Sequence, residues 1–390
     1  MKVAVIGAKG LPPKQGGIEH YCAEVYPRMA AQGHSIDVFA RASYTELPWF
    51  YRYNHQGVQV ITLPSLRFRG LDALANAAIG STLTLLSQYD VVHFHALGPA
   101  LCSLVPRLKR QTKVVVSCQG LDWQRNKWGH WPRRIIRLGE FTAVQCAHRL
   151  IVVSEALQSY FLDTYGRDTV YIPNAPAAYA ASDPQFGYAQ SLGLHPGKYI
   201  VFVGRLVPEK CPDLLIQAFH RLNPPGWKLV LVGGSSDTLG FYRQLQQWSK
   251  HNPDILLTGE LRGSRLAELV RGAGLFVLPS DVEGLPLAML EAMQEGIPIV
   301  ASDIPPHRQL LGEGQGVLFE KASLADCMKA LDWAIQNPAD MQAMAALAQQ
   351  HVRDQYTWDQ ITNRTLDLYT TLLRSRLPRQ ARISREVGFY

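Results

Sequence analysis

Short runs of β-branched and other apolar residues alternate with helix-length amphipathic segments along the whole chain, and this alternation occurs twice. In the first half, strands are predicted over residues 2–6, 35–40, 58–63, 91–95, 113–118, 149–153 and 170–172, with helices over 19–32, 72–87 and 131–147. In the second half, strands over 199–203, 228–232, 255–258, 275–278 and 298–301 alternate with helices over 212–220, 239–250, 265–272 and 286–294. This order is typical of parallel sheets, so we expect an α/β protein with two Rossmann-like, doubly wound domains.

The length of 390 residues fits two such domains. We place the first over residues 1–175, a proline-containing linker over 176–198, the second domain over 199–357, a closing helix over 358–374 and a basic tail over 375–390. Parallel sheets bind ligands at the carboxyl ends of their strands. If the two sheets face each other, those ends surround one central cleft, where we expect the active site.

Composition excludes several classes of protein. With 47% hydrophobic and 18% charged residues, the chain has enough apolar side chains for folded cores. No segment approaches the roughly 18 uninterrupted apolar residues of a membrane span, and residues 2–6 are too short for a signal peptide, so we expect a cytoplasmic protein. Between residues 105 and 149, the sequence has ten Lys or Arg but only two Asp or Glu residues. Such a surplus fits either an anionic partner or a solvated helix face, and the lack of a recognition motif disfavours nucleic acid.

Two loops that follow predicted strands carry candidate phosphate-binding groups. Gly16 and Gly17 precede the first helix, where small residues and free backbone N–H groups allow close approach to an anion. Arg205 and Lys210 stand at the corresponding place in the second domain and could neutralise a diphosphate. The alternatives are a simple glycine turn and two solvated cations. Neither loop has the Gly-x-Gly-x-x-Gly or Walker A pattern, which disfavours a dinucleotide oxidoreductase.

A third loop carries two glutamates. Glu283 follows a strand, Gly284 permits a sharp turn, Pro286 suits the start of a helix, and Glu291 lies within that helix. One carboxylate is thus predicted at the cleft floor and the other on the helix behind it. Without further context, both could simply interact with the helix dipole.

Together these motifs resemble those of a known enzyme family. The Glu283 to Glu291 spacing is similar to the E-x7-E signature of the retaining, GT-B-fold glycosyltransferases of family 4. Gly16-Gly17, Gly204-Arg205 with Lys210, and the Ile172-Pro173-Asn174 run also match that pattern, and the resemblance spans essentially the whole chain. It implies a GT-B fold in which the C-terminal helix returns to the first domain.

The resemblance also implies roles for individual residues. Arg205, Lys210, Gly16, Gly17 and backbone groups near Leu285 and Leu287 would bind the diphosphate of a nucleotide sugar. Glu283 would contact the transferred sugar, Glu291 the ribose, and the segment ending at Leu261 would border the base. We expect no metal cofactor, because the chain contains no Asp-x-Asp motif.

Two further places in the chain offer candidate site residues. His93 and His95 share one face of a strand, a spacing that also suits a metal, but no third ligand is evident nearby. The resemblance makes His95 a candidate catalytic residue near the sugar or acceptor, and a hydrogen-bonded structural histidine is the alternative. Gln119 stands where many relatives have a histidine that contacts the donor sugar. Glutamine can hydrogen-bond a hydroxyl but carries no proton at neutral pH.

The expected function is therefore transfer of a sugar from a nucleotide donor to a glycan or lipid-linked glycan, with retention, in cell-surface or exopolysaccharide synthesis. An epimerase or hydrolase of the same fold, and a non-catalytic sugar-nucleotide-binding protein, are the alternatives. An aromatic and basic stretch in the first domain favours contact with an anionic membrane surface, or else contains core tryptophans beside solvated arginines. Its members are Trp123, Arg125, Lys127, Trp128, Trp131, Arg133, Arg134 and Arg137.

Overall fold

The computed structural model describes residues 1–14, 16–65, 71–124, 129–235 and 238–374. The basic tail over 375–390 and the predicted surface residues Arg125, Lys127 and Trp128 lie outside this range. Within it, two parallel-sheet domains are followed by helices, as the sequence predicts.

The first domain is built on an eight-stranded sheet. Its elements in chain order are β1 (Lys2–Ile6), α1 (Gly17–Ala31), β2 (Ser35–Arg41), α2 (Ala42–Thr45), β3 (Arg52–His55), β4 (Val58–Leu63), α3 (Leu71–Leu86), β5 (Val91–His95), α4 (Leu97–Ala100), α5 (Leu104–Arg107), β6 (Lys113–Cys118), α6 (His130–Cys146), β7 (Arg149–Val152), α7 (Glu155–Tyr165) and β8 (Val170–Tyr171). The strand order is β3-β4-β2-β1-β5-β6-β7-β8, and β3 alone among the described strands of this sheet runs antiparallel to its neighbour.

The second domain is built on a six-stranded parallel sheet. The linker and this domain contain α8 (Gly187–Ser191), β9 (Tyr199–Val203), α9 (Pro212–Leu222), β10 (Lys228–Val232), α10 (Leu239–Lys250), β11 (Ile255–Gly259), α11 (Gly263–Arg271), β12 (Leu275–Leu278), α12 (Leu287–Gln294), β13 (Ile299–Ser302), α13 (Pro305–Leu311), β14 (Val317–Phe319), α14 (Leu324–Gln336) and α15 (Pro338–Gln355). The last described helix is α16 (Trp358–Arg374).

The central strands are buried on both faces, which explains their continuous apolar runs. Two short strands were not predicted. β3 has the sequence Arg-Tyr-Asn-His and lies at the edge of the sheet. Its side chains are exposed or half-buried, so the strand has no apolar run that would predict it. β14 has three residues and gives too short a signal. The helix α7 was also missed, although Ser154 caps its start and Gly166, in the left-handed region, ends it.

The closing helix α16 returns to the first domain and packs against α1, as the family resemblance implies. A buried polar network joins the two helices to β5. The Tyr369 hydroxyl is 2.6 Å from His93 Nδ1, and the Thr365 hydroxyl is 3.1 Å from that of Tyr21. His93 also hydrogen-bonds to Ser117 of β6 at 2.7 Å. Because burial lowers the pKa of His93 well below its usual value, the network is made of neutral groups.

Replacement of Tyr369 should therefore weaken the attachment of α16. We expect Tyr369→Ala to lower the free energy of unfolding by about 3–5 kcal/mol, because it removes a fully buried ring and leaves His93 with one fewer partner. The exposed Asp367 on the same helix is the matched control, and Asp367→Ala should change stability by less than about 0.5 kcal/mol. Urea denaturation measures both. A cost for Tyr369→Ala no larger than that of the control would contradict the docking of α16.

Candidate active site

The candidate site is a cavity of about 410 Å³ between the two domains. The first domain contributes Gly120 and Tyr160 to its wall, and the second contributes Arg205, Lys210 and Glu283. All five follow or lie near the carboxyl ends of strands, as the doubly wound topology requires. The structure thus brings three of the four predicted charged residues of the second domain to one wall, and Glu291 is the exception.

An ion pair lies at the centre of this wall. Lys210 Nζ donates to Glu283 Oε1 at 2.8 Å, and the Ser280 hydroxyl donates to the same oxygen at 2.9 Å. Burial alone would raise the pKa of Glu283, but the charge of Lys210 and these hydrogen bonds bring it below its usual value. Glu283 is therefore ionised at neutral pH. Lys210 has three N–H donors, so its contact with Glu283 leaves capacity to bind an anion.

Arg205 lies beside this pair on the more open part of the wall. Its side chain is 40% exposed, and its guanidinium is 4.0 Å from Glu209 Oε1. The stem of Lys210 packs close to Gly204, where an added Cβ would lie 3.2 Å from Lys210 Cδ. A small residue before Arg205 therefore lets the two cations share one wall.

The two domains touch next to the cavity through glycines. A Cβ on Gly284 would lie 2.2 Å from the carbonyl oxygen of Gln119, and a Cβ on Gly17 would lie 3.0 Å from Leu287 Cδ1. The first loop is fixed by Glu19, whose carboxylate accepts from the backbone N–H of Lys9 at 2.9 Å. Gly17, predicted to approach a phosphate, and Gly284, predicted to permit a sharp turn, thus lie where the domains come close. A Cβ on Gly16 would instead meet Glu19 Oε2 of its own domain at 2.2 Å.

The remaining predicted donor residues do not line the cavity. Leu285 is buried, and Leu261 and Leu287 are half-buried against the core of the second domain. Glu291 lies beneath the linker, where the Tyr179 hydroxyl donates to its Oε2 at 3.3 Å. Burial raises the pKa of Glu291 to about 7, even though hydrogen bonds from Tyr179 and the Ala177 backbone act in the opposite direction.

Two family profiles match the chain, one in each domain. "Glycosyl transferase 4-like domain" covers residues 16–175, and "Glycosyl transferases group 1" covers residues 188–351. The chain belongs to the family 4 glycosyltransferases of the GT-B fold.

Characterised relatives and solved structures agree with this assignment. D-inositol 3-phosphate glycosyltransferase from Gordonia bronchialis is 27% identical over 96% of this chain and 89% of that protein, and its counterpart from Geodermatophilus obscurus is 28% identical over 91% and 84%. Sucrose-phosphate synthase from Thermosynechococcus elongatus superposes with a TM-score of 0.82 at 20% identity, covering 96% of this chain and 99% of that one. Anabaena HepE in complex with UDP and glucose gives 0.78 at 19%, covering 95% and 100%. These two structures share the fold of the glycosyltransferase.

His95 does not occupy the predicted place in the glycosyltransferase. Its ring is fully buried beneath α1, with Nε2 2.7 Å from the Tyr26 hydroxyl and the ring of Tyr21 packed against it at 5.2 Å. Burial lowers the pKa of His95 to about 3, so it is neutral. This position contradicts a contact with sugar or acceptor and agrees with the structural alternative. In the described part of the chain, no three His, Cys, Asp or Glu residues form a group that could hold a metal ion.

Gln119 lies at the domain contact, and its side chain is oriented by a neighbour. Asn174 Nδ2 donates to Gln119 Oε1 at 2.7 Å, while Asn174 Oδ1 is buried without a hydrogen-bond partner. Asn174 belongs to the Ile172-Pro173-Asn174 run noted in the sequence. This hydrogen bond occupies the carbonyl oxygen of the Gln119 amide and so sets the orientation of the amide.

Two residues near the cavity were missed by sequence reasoning. Glu140 of α6 is buried and accepts three hydrogen bonds, from Trp123 Nε1 at 2.8 Å, Tyr160 at 2.7 Å and Tyr165 at 2.6 Å. It holds Tyr160 at the cavity wall and binds the indole N–H of Trp123, whose half-buried ring packs against the core. For Trp123 this favours the alternative of a core tryptophan beside arginines. No local motif marks such a carboxylate, because its partners come from two other segments of the chain, one before α6 and one on α7.

The second missed residue is His307 of α13. It is fully buried, its Nδ1 is 2.8 Å from the Ser302 carbonyl oxygen, and its Nε2 has no hydrogen-bond partner. Burial lowers its pKa to about 4, although the charge of Glu283 acts in the opposite direction. The preceding residues Pro305 and Pro306 line the cavity, so His307 supports the wall from behind.

The contact at Gly284 should be sensitive to a single methyl group. We expect Gly284→Ala to reduce glycosyl transfer at least tenfold, because the added Cβ meets the Gln119 backbone and keeps the domains from closing. Gly240→Ala is the matched control, since a Cβ there has nothing within 4 Å. Small-angle scattering should give a larger radius of gyration for Gly284→Ala alone. Equal radii and equal rates for the two variants would contradict this role of Gly284.

Proposed function

We propose that this glycosyltransferase moves a sugar from a nucleoside diphosphate to a hydroxyl of a glycan or lipid-linked glycan, with retention of configuration. The observation that carries the proposal is the Lys210–Glu283 ion pair on the cavity wall, with Arg205 beside it. One wall thus offers cations to the leaving group and a carboxylate to the sugar.

The cations suit the charge that develops during departure of a nucleoside diphosphate. As the bond between the anomeric carbon and the phosphate oxygen breaks, negative charge builds up on the diphosphate. Arg205 and Lys210 are held in place before the reaction and can stabilise that charge without reorganisation. Gly16 and Gly17 would approach the diphosphate from the opposite domain, and the start of α12 near Leu285 and Leu287 would add backbone N–H groups.

The carboxylate suits the sugar. Glu283 is ionised and can accept hydrogen bonds from sugar hydroxyls while the ring becomes oxocarbenium-like. The acceptor oxygen then bonds to the anomeric carbon on the face that the phosphate leaves, and its proton passes to a departing phosphate oxygen. Gln119, from the first domain, would hydrogen-bond the same sugar. The anomeric proton coupling in the product would report retention or inversion.

Glu291 would accept a hydrogen bond from the ribose, and the segment ending at Leu261 would border the base. Supporting this, Glu291 is a half-buried carboxylate on α12, the helix that follows the loop of Glu283. The side-chain cations make a metal unnecessary for neutralising the diphosphate, so we propose metal-independent catalysis.

The chemical class of the acceptor is a separate part of the proposal. The relatives named above act on D-inositol 3-phosphate, as their names state, whereas the sequence favours cell-surface or exopolysaccharide synthesis. A direct comparison of inositol 3-phosphate with oligosaccharide acceptors distinguishes the two.

An exposed face of α6 supports contact with an anionic membrane. Trp131, Leu138 and Phe141 are 73%, 54% and 52% exposed, and their spacing with Arg134 places all four on one side of the helix. The guanidinium of Arg134 lies 5.4 Å from the Trp131 ring. The one acidic residue between 129 and 149, Glu140, is buried, so this face carries cations and apolar groups together.

Leu104 and Leu108, which are 58% and 73% exposed, extend the exposed apolar surface next to the basic residue Arg107. No helix in the described ranges is long and apolar enough to cross a membrane. From the exposed α6 face we propose that the glycosyltransferase binds a membrane surface through α6 and works at its cytoplasmic side.

Nucleotide binding tests the donor site. Calorimetric titration with UDP, GDP, dTDP and ADP should reveal tight binding of one diphosphate, and Lys210→Ala should weaken it at least tenfold by removing a buried cation. Glu291→Ala should weaken it as well by removing the ribose contact. The same titration in excess EDTA should give an unchanged affinity.

Lys250→Ala, on the outer helix α10, is the control for loss of a lysine and should bind like wild type. If folded wild-type protein binds none of the four diphosphates, the assignment of the cavity is wrong. If EDTA abolishes binding, the metal-independent mechanism is wrong.

Vesicle binding tests the α6 face. We expect sedimentation with phosphatidylcholine vesicles only when phosphatidylglycerol is included, and a loss of about tenfold in partitioning for the double variant Trp131→Ser/Leu138→Ser. Trp333→Ala, on the second domain and 39% exposed, should bind like wild type. Binding that is equal with neutral vesicles, or unaffected by the α6 substitutions, would contradict the proposal.

A further inference from the structure

A second exposed aromatic surface lies on the first domain, at the opposite end of the sheet from α6. Trp49, Phe50 and Tyr51 are consecutive and are 64%, 55% and 48% exposed. We call these three residues, together with Tyr53, the aromatic platform. A contiguous patch of large exposed apolar side chains on a folded protein commonly marks a binding surface.

The platform is exposed but its backbone is firmly held. The buried Thr62 of β4 accepts from Phe50 N at 2.6 Å through its carbonyl oxygen and from Tyr51 N at 3.0 Å through its hydroxyl. Its own backbone N–H donates to the Tyr51 carbonyl oxygen at 3.0 Å, and its hydroxyl donates to the Pro48 carbonyl oxygen. Phe50 adopts φ 60°, a conformation that is costly for a bulky residue and commonly occurs at functional sites. The rings are thus presented on a rigid backbone.

The platform continues into a small cavity beside the first loop. Tyr51 stacks on Tyr53 with ring centroids 6.4 Å apart, and Tyr53 lines a cavity of about 140 Å³ together with Leu11 and Pro12. The Tyr53 hydroxyl donates to the Leu11 carbonyl oxygen. The platform is therefore joined to the loop that leads to Gly16 and Gly17 at the domain contact.

The position within the sheet agrees with this connection. β3 pairs with β4 so that Arg52 lies opposite Ile61, which places residues 49–51 at the carboxyl end of β4. That is the same edge of the sheet from which the first loop leaves β1. The platform thus lies on the cleft side of the acceptor domain, beyond the donor cavity.

The chemistry of the surface matches a sugar ring. A pyranose has an apolar face of C–H groups, which packs on aromatic rings, and a polar rim of hydroxyls. At the edge of the small cavity, Lys14 Nζ donates to Glu46 Oε1 at 2.7 Å, so donors and acceptors stand beside the rings. Unlike the α6 face, this surface pairs its lysine with an exposed carboxylate, which disfavours an anionic membrane.

We propose that the aromatic platform binds a sugar ring of the acceptor and that the acceptor is consequently a glycan. The proposal rests on the transfer reaction proposed above and identifies its acceptor class. A small acceptor such as inositol phosphate, held at the reacting centre, would have no use for rings outside the donor cavity. A glycan extending from the reacting hydroxyl along the first loop would reach them.

Saturation-transfer NMR tests the proposal with defined probes, the methyl glycosides of glucose, galactose, mannose, rhamnose and N-acetylglucosamine and their disaccharides. We expect at least one probe to bind wild-type protein, and Trp49→Ala and Tyr51→Ala to weaken that binding at least fivefold. Tyr51→Phe retains the ring and should bind like wild type, as should Trp333→Ala. Calorimetric affinity for the preferred nucleoside diphosphate should change less than twofold in every variant.

The outcomes separate this proposal from the donor proposal. Failure of all probes to bind folded wild-type protein, or equal binding by the Ala variants, would overturn the acceptor platform even if the diphosphate still binds. Loss of vesicle binding with retained glycoside binding in Trp49→Ala would assign the rings to a membrane instead and also overturn it. Absence of diphosphate binding would overturn the donor proposal independently of the platform.

Discussion

The return of α16 to the first domain is the constraint on which the cleft depends. The linker joins the two domains once, and the contact of Tyr369 with His93 joins them a second time through the chain's last described helix. Two connections restrict the directions in which the sheets can move apart. The carboxyl edges of both sheets consequently face each other, which brings Gly284 against Gln119 and Gly17 against Leu287.

Within that cleft, charge is divided between the domains. The second domain provides the cations and the ionised Glu283, all on loops that follow its strands. The first domain provides uncharged groups at the contact, such as the oriented Gln119, and a wall held from behind by Glu140. This division fits a donor that is an anion and an acceptor that is not. It also explains why charged residues in the sequence indicated the site residues of the second domain but not those of the first.

The sequence predicted most strands to within a residue, because parallel strands buried on both faces give continuous apolar runs. It also predicted that Arg205, Lys210 and Glu283 share a wall, since loops after adjacent parallel strands meet at one edge. It failed for β3, whose edge position removes the apolar run, and for His95, whose place at a strand end suggested the cleft. Which side of a strand faces the cleft and which faces a helix depends on packing that spacing does not reveal. Glu140 was missed because its partners lie 17 to 25 residues away in sequence. His307 was missed because its burial behind the wall follows from packing and not from a local motif.

The dual attachment of α16 also bears on how such enzymes exchange parts. Residues 358–374 follow the second domain in sequence but complete the interior of the first domain, where Thr365 and Tyr369 contact Tyr21 and His93. The first domain is thus built from two stretches of the chain that the second domain separates. A chimera that grafts a new first domain onto this second domain must replace the last helix as well, or the grafted core will lack its matching face. Recombination that exchanges the first domain would accordingly need two crossovers, one on each side of the second domain.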